Sequence, residues 1–359
     1  MKPNLLLDKI HSRIEDHNDY FYGPQYNVEF RFEQKFFVSK LLSVVKISDL
    51  KILLKLSLSS INKLMNKPNY ITFSIPKKRG GNRLIQSPDE NLMKLQSRLN
   101  FYLQQYYHLM RPEGIYGFVI NPDKKEKYCN IVENAKVHVN QNHVLNLDLK
   151  DFFPSIKAYR VKQLFESGNF KFSEDVANAL ALLTTYEGKL PIGAPTSPVI
   201  SNFICLELDA DLIAFCQKNK INFSRYADDL TFSSNQEITQ DMVNCLFEII
   251  KKNHFEVNPK KTRLKSNNRK QTVTGLVVNK KVNIDRRTLK MVRAMLYDAS
   301  KNGIANAATK HFTANSDTVS DYSYFINRLD GYINFIAQVK GIDDPLVIKF
   351  KSDFKSLKV

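Results

Sequence analysis

The chain has 359 residues and a formal net charge of +17, with 43% hydrophobic and 25% charged residues; that is enough apolar sequence for a core and excludes wholesale disorder. No apolar run approaches the ~18 residues of a membrane-spanning helix. The opening MKPNLLLDKI has too short an apolar stretch for a secretory signal, so a cytoplasmic protein with no membrane partner is expected.

Residues 1–45 mix aromatic and charged side chains, as in HNDYFYGPQYNVEFRFEQKFF, and form an N-terminal extension. Ser48-Asp49 is the expected N-cap of a helix with Leu50, Leu53, Leu54 and Leu58 on one face, ending near Lys67-Pro68. YITFSIP alternates as a strand, and residues 77–88, KKRGGNRLIQSP, read as a basic glycine-containing loop. Residues 91–110 look helical. HVLNLDL, residues 143–149, is a leucine-rich strand that runs into DFFPSI. A helix is expected over 173–186, then the loop LPIGAPTSP, then a second apolar helix through Cys216.

INFSRYADDLTFSS, residues 221–234, reads as two strands joined by a tight turn at Ala227-Asp228. A helix over 239–254 and a strand pair over 271–284 follow. The tail from Arg286 is mostly helical, with an amphipathic stretch over 322–339. This order argues for an α+β core followed by a helical C-terminal part. No G-x-G-x-x-G follows a strand, so a Rossmann sheet is not expected.

The cysteines, Cys129, Cys205, Cys216 and Cys245, form no C-x-x-C pair, which suits a reducing compartment and disfavours structural zinc. The charge is uneven. Residues 251–293 hold 14 Lys and Arg against Glu256 and Asp285. Such a block suits a polyanion, since each neutralised phosphate releases a condensed counterion, although a solvated basic face has the same composition.

Asp148 lies inside an apolar strand, and Asp228 and Asp229 lie in a turn between apolar strands. Carboxylates in such settings are costly unless paired or bound to a cation. Brought together, three of them can hold Mg²⁺ for an in-line phosphoryl displacement. An isolated Asp-Asp pair is more often only a hairpin turn.

The context alters that balance. YADDL, residues 226–230, resembles the Y-x-D-D hairpin of reverse transcriptases. LDLKDFFPSI resembles their first carboxylate motif, LPIGAPTSPVISN the loop and helix under the incoming nucleotide, and FEVNPKKTRL the motif after the hairpin. NAKVH, residues 134–138, and VTGLVVN, residues 273–279, resemble the N-A-x-x-H and V-T-G signatures of retron reverse transcriptases. Taken alone, His138 is a satisfied surface or core histidine and Thr274-Gly275 a simple turn.

The resemblance implies a right-hand polymerase. Its parts are fingers over 46–142, palm over 143–270, primer-grip strands over 271–285 and a helical thumb over 286–359. It implies that Asp148, Asp228 and Asp229, with the carbonyl of Leu149, bind two Mg²⁺ ions. Lys261 would protonate pyrophosphate, or else is a solvated lysine in a basic run. Lys78, Arg83, Asp151, Phe152, Phe153, Gly193 and Ala194 would contact the nucleotide. Phe153 would exclude a 2′-hydroxyl, and strand alternation says Phe152 and Phe153 cannot face the same way. Asn134, His138, Thr274, Gly275, Arg286, Arg287, Lys290 and Arg293 would contact RNA or primer. Ile192 stands where the family usually has Gln, which puts one nucleotide contact in doubt.

Retron membership further implies a cognate structured noncoding RNA as primer and template, with synthesis from the 2′-hydroxyl of a guanosine. It implies dNTP substrates, a branched RNA–DNA product, an antiphage role and an effector protein encoded nearby. No RNase H, maturase or endonuclease segment is recognisable. Two other readings stay open: another bacterial reverse transcriptase, intron-like or of abortive-infection type, and a catalytically idle RNA-binding module.

Overall fold

The computed structural model describes residues 28–77, 80–120, 129–312 and 322–357, with side chains described from Gln34 on. The chain forms two compact units. The first comprises the described residues up to Cys129 with Asn146–Leu230 and Ile238–Thr262; the second comprises Asn130–Leu145, Thr231–Glu237 and the residues from Arg263 on. Most of the N-terminal extension lies outside the described residues. Its last part forms a helix, Val28–Leu42, whose Phe37 meets Phe101 edge-on at 4.8 Å.

In the first unit, β1 (Tyr70–Pro76) pairs antiparallel with β2 (Asn82–Pro88) in a register that sets Ile75 opposite Arg83. The segment read as a basic loop over 77–88 is a strand from Asn82 on, because Leu84, Ile85 and Gln86 continue the ladder. Asp89 then caps the helix Glu90–Met110 by accepting from the Leu92 amide at 2.9 Å. The helix expected after Ser48 is broken. Lys55 turns left-handed after Leu50–Leu54, and Ser57 caps a new helix, Leu58–Asn66. The helix expected over 173–186 runs over Glu174–Thr184, capped by Ser173. The apolar helix before Cys216 is two, Ser197–Ile204 and Leu206–Lys218, meeting at Cys205. Phe170 is a hub of the core, with ring centroids 5.0 Å from Phe203, 5.1 Å from Phe165 and 5.2 Å from Tyr106.

A four-stranded sheet has the order β4–β5–β3–β6, formed by Asn222–Tyr226, Asp229–Ser234, His143–Asp148 and Arg263–Ser266. It places β3 next to β5, which brings the end of one apolar strand beside the turn that opens the other. The helix Gln240–Lys252 follows β5 and is capped by Thr239.

The second unit has its own core of Val292, Met295, Leu296, Phe325, Leu329, Ile333, Ile336, Val347 and Phe350. These come from the segment Arg286–Phe312, broken at Gly303, and the helices Tyr322–Lys340 and Pro345–Ser356. Gly303 sits at φ 79 and ψ 158, a conformation essentially confined to glycine. The strand pair expected over 271–284 is short: β7 (Thr272–Val273) and β8 (Leu276–Val277), extended by one bridge between Val277 and Asn283. Among the described residues, no helix is long and apolar enough to cross a membrane.

Candidate active site

Asp148 is the last residue of β3 and is buried. Its carbonyl accepts from the Asn258 amide at 2.7 Å, and its carboxylate accepts from Nζ of Lys261 at 2.6 Å. Lys261 ends a short 3-10 turn, Pro259–Lys261, that Pro259 helps to start by fixing φ. One residue further, the Leu149 amide donates to the Asp228 carbonyl at 3.0 Å. That hydrogen bond fastens the end of β3 to the β4–β5 turn.

The turn is Ala227-Asp228, as the sequence suggests. Ala227 takes φ 59, the left-handed region that a non-glycine residue seldom adopts. It is buried against the main chain of Gly117, where a Cβ would stand 2.2 Å from the Ala227 nitrogen. Beneath the turn lies Arg225, fully buried. Its Nε and Nη2 donate to the two carboxylate oxygens of Asp209 at 2.7 and 2.6 Å, and its Nη1 donates to Asn202 Oδ1 at 3.0 Å and to the Ala227 carbonyl at 3.2 Å. The sequence reading missed this group. The signal was available: an arginine inside a strand pattern and an aspartate inside an apolar helix each need a partner.

Burial raises the Asp228 carboxyl, and repulsion from Asp148 raises it further. Burial, with repulsion from Asp228 and Asp148, pushes Asp229 up to about 7. Solvent reaches the exposed Asp229 side chain and screens part of this. Lys261 opposes the repulsion on both, and Arg83 opposes it on Asp228. Three carboxylates thus share a region short of positive charge. All-oxygen donors of this kind suit a hard divalent cation. The three do not form a closed ligand set: among the described residues, no group of three His, Cys, Asp or Glu side chains is arranged to hold a metal ion. Asp148 is instead turned to Lys261.

Of the expected nucleotide contacts, Lys78 lies outside the described residues. Arg83 is exposed on β2. The Gln86 amide donates to the Ile192 carbonyl at 2.7 Å, and Ser197 Oγ donates to the Pro191 carbonyl at 2.7 Å, so the main chain of the LPIGAP loop is held with no glutamine at 192. Gly193 has φ 121, and a Cβ there would stand 2.9 Å from Cγ2 of Ile85, which explains the glycine. Ala194 is buried behind it. Asp151 is exposed, at φ 46, and starts a single helical turn, Phe152–Ser155. The strand alternation invoked for Phe152 and Phe153 therefore does not apply, and the two rings lie 5.4 Å apart, centroid to centroid. Phe152 is buried, with its ring 5.8 Å from Phe255, while half-buried Phe153 has its ring 5.7 Å from Phe118.

In the second unit, Asn134 lies in the helix Ile131–Lys136, and its Nδ2 donates to Oγ1 of Thr274 at 3.5 Å. Thr274 and Gly275 both have positive φ, 45 and 87, as a two-residue hairpin turn demands. The N-A-x-x-H and V-T-G segments therefore meet. His138 is fully buried, 2.7 Å from Ser233 Oγ through Nδ1, and burial pushes its pKa down to about 3. Asn134 is buried as well. This corrects the expectation that these two side chains touch RNA: both are interior residues, Asn134 reaching Thr274 and His138 reaching Ser233 within the second unit. Arg286, Arg287, Lys290 and Arg293 are all exposed on the first turns of their helix.

The profile of the family described as "Reverse transcriptase (RNA-dependent DNA polymerase)" matches residues 75–281, more than half of the chain. The retron Mx65 reverse transcriptase of Myxococcus xanthus is 33% identical over 68% of this chain and 59% of its own length. The retron Ec86 reverse transcriptase of Escherichia coli is 36% identical over 48% of this chain and 54% of its own length. The retron Ec73 reverse transcriptase of Escherichia coli is 31% identical over 57% of this chain and 67% of its own length. The chain thus spans between about half and two thirds of these relatives.

Proposed function

The chain belongs to the reverse transcriptase family, to its retron type, and from that premise we propose that it is an RNA-directed DNA polymerase. The observation that carries the reading is the meeting of Asp148 with Asp228 and Asp229 beside Lys261, where mutual repulsion calls for added positive charge. Asp148, Asp228, Asp229 and the Leu149 carbonyl would hold two Mg²⁺ ions. Bound there, the metal would lower the pKa of the primer hydroxyl and stabilise the leaving pyrophosphate.

The chain's own residues do the rest. Arg83, with Lys78, receives the triphosphate, the guanidinium offering a fork of donors. Gly193 and Ala194 form a main-chain floor, and Asp151 flanks the nucleotide; Phe152, expected there too, is buried and packs against Phe153. Phe153 stands under the sugar and excludes a 2′-hydroxyl. Lys261, paired with Asp148 at 2.6 Å, gives its proton to pyrophosphate. Thr274-Gly275 contacts the primer, and Arg286, Arg287, Lys290 and Arg293 track the duplex backbone. An A-form duplex is held mainly through phosphate and 2′-hydroxyl contacts, which suits such a row. Residues 46–142 then act as fingers, 143–270 as palm, 271–285 as primer grip and 286–359 as thumb.

The template and primer are one cognate noncoding RNA, extended from a guanosine 2′-hydroxyl in the cytoplasm to give branched RNA–DNA for antiphage defence with a separate effector protein. The N-A-x-x-H and V-T-G segments support this finer reading. Purifying the protein from its native locus and sequencing the bound nucleic acid tests it. A small RNA joined to DNA through a 2′–5′ linkage is expected. Linear or untemplated DNA points to another bacterial reverse transcriptase, and RNA with no DNA to an idle binding module.

A further inference from the structure

The carboxylate turn needs a conformation that its own sequence resists. Ala227 is left-handed, a conformation that L-residues resist, and no glycine relieves it. Something outside the turn must hold it. One clamp is the Leu149 amide on the Asp228 carbonyl. The other is Arg225. A fully buried guanidinium is an expensive brace unless all of its donors are used. Here one edge is spent on both oxygens of Asp209, and Nη1 bridges Asn202 Oδ1 and the Ala227 carbonyl. Asn202 in turn donates from Nδ2 to the Gly117 carbonyl at 3.1 Å, and Gly117 backs the Ala227 nitrogen. The main chain of Arg225 is pinned as well: its amide donates to the Gly114 carbonyl at 2.9 Å, and its carbonyl accepts from the Tyr116 amide at 2.9 Å.

We propose that Arg225 is a positioning residue: oriented by Asp209 and Asn202, it grips the Ala227 carbonyl and holds the left-handed turn that aims Asp228 toward Asp148. Lysine keeps the charge at this position but lacks the planar fork to reach all four acceptor atoms. Glycine at 227 removes the steric cost of the left-handed residue. The grip and the strain are therefore coupled, and a double-mutant cycle reads that coupling. The inference rests on the polymerase reading, because its readout is turnover.

The test measures kcat and the KM for dNTP on a primed RNA template, with folding checked by circular dichroism, for the unsubstituted chain, R225K, A227G and the double variant. R225K is expected to lower kcat by about tenfold with KM within about twofold. In the A227G background the same change is expected to cost no more than about threefold. A purely structural role would lower melting temperature without this coupling. If R225K does not fold, N202A, which removes no charge, replaces it in the same cycle with a smaller loss expected. Equal losses in both backgrounds, or a folded R225K of full turnover, overturn the inference alone. An unsubstituted chain that makes no DNA overturns the polymerase reading and the inference with it.

Discussion

Nζ of Lys261 stands 2.6 Å from Oδ1 of Asp148, joining the 3-10 turn after the helix Gln240–Lys252 to the end of β3. The ion pair has two consequences. It supplies a cation where three carboxylates repel one another, and it stores an acid next to the proposed reaction centre. Replacing Lys261 with Met should lower kcat by about 10²-fold, the span of general-acid catalysis, and leave KM for dNTP nearly unchanged. Pre-steady-state incorporation kinetics would reveal this, and full turnover in the variant would remove Lys261 from the chemistry.

The carboxylates set a pH dependence. The Asp229 carboxyl lies at about 7 in the folded chain against an ordinary 3.8. Between those values the folded chain binds more protons than the unfolded chain, so this group's contribution to stability falls as pH rises through that window. Half-buried aspartates such as Asp285 and Asp344, lowered mainly by hydrogen bonds from Lys270 and Lys340, act in the opposite sense. The Asp229→Asn variant separates the terms. Its melting temperature without metal should gain on the unsubstituted protein from pH 5 to pH 7.5. Mg²⁺ should stabilise the unsubstituted protein more at pH 7.5 than at pH 5, because the ion competes with protons for the same oxygens. A pH-independent difference between the two proteins would contradict the shared field.

Phe153 rests on Phe118 and Phe152, with ring centroids 5.7 and 5.4 Å away. Substituting Val shortens the side chain and leaves the buried Phe152 in place. The ratio of kcat/KM for dNTP over the matching ribonucleotide should fall by about tenfold or more. Competition assays with mixed nucleotides measure this directly, and an unchanged ratio would reassign Phe153 to packing.

Arg286, Arg287, Lys290 and Arg293 are exposed and project from consecutive turns of one helix. Neutralising all four with Gln should weaken binding to an RNA–DNA duplex across sequences. The slope of log K against log salt should become shallower by about 0.9 for each phosphate that the protein no longer neutralises. Unchanged affinity and slope would identify the row as a solvated face.

The sequence made the carboxylates, the turn and most element types legible, because each is a local pattern: an apolar strand carrying Asp148, a two-residue turn between apolar strands, apolar residues at helical spacing. What it concealed depends on partners far along the chain. Nothing near Lys55 announces a left-handed break, and the strand character of Asn82–Pro88 comes from pairing with β1 rather than from its mixed composition. His138 looked like a ligand for RNA because a motif carried it. Its partner Ser233 lies 95 residues away and makes it a core residue. The brace formed by Arg225, Asp209 and Asn202 was hidden for the same reason, since sequence gives a buried charge no address for its partner.

The most direct measurement is DNA synthesis by the purified chain on a primed RNA template with Mg²⁺ and dNTPs, beside Asp228→Asn. The unsubstituted chain should extend the primer, and the variant should lose activity by about 10³-fold or more at an equal or higher melting temperature, since the substitution removes a repelled, partly buried carboxyl. Extension by the variant at an undiminished rate would contradict the account.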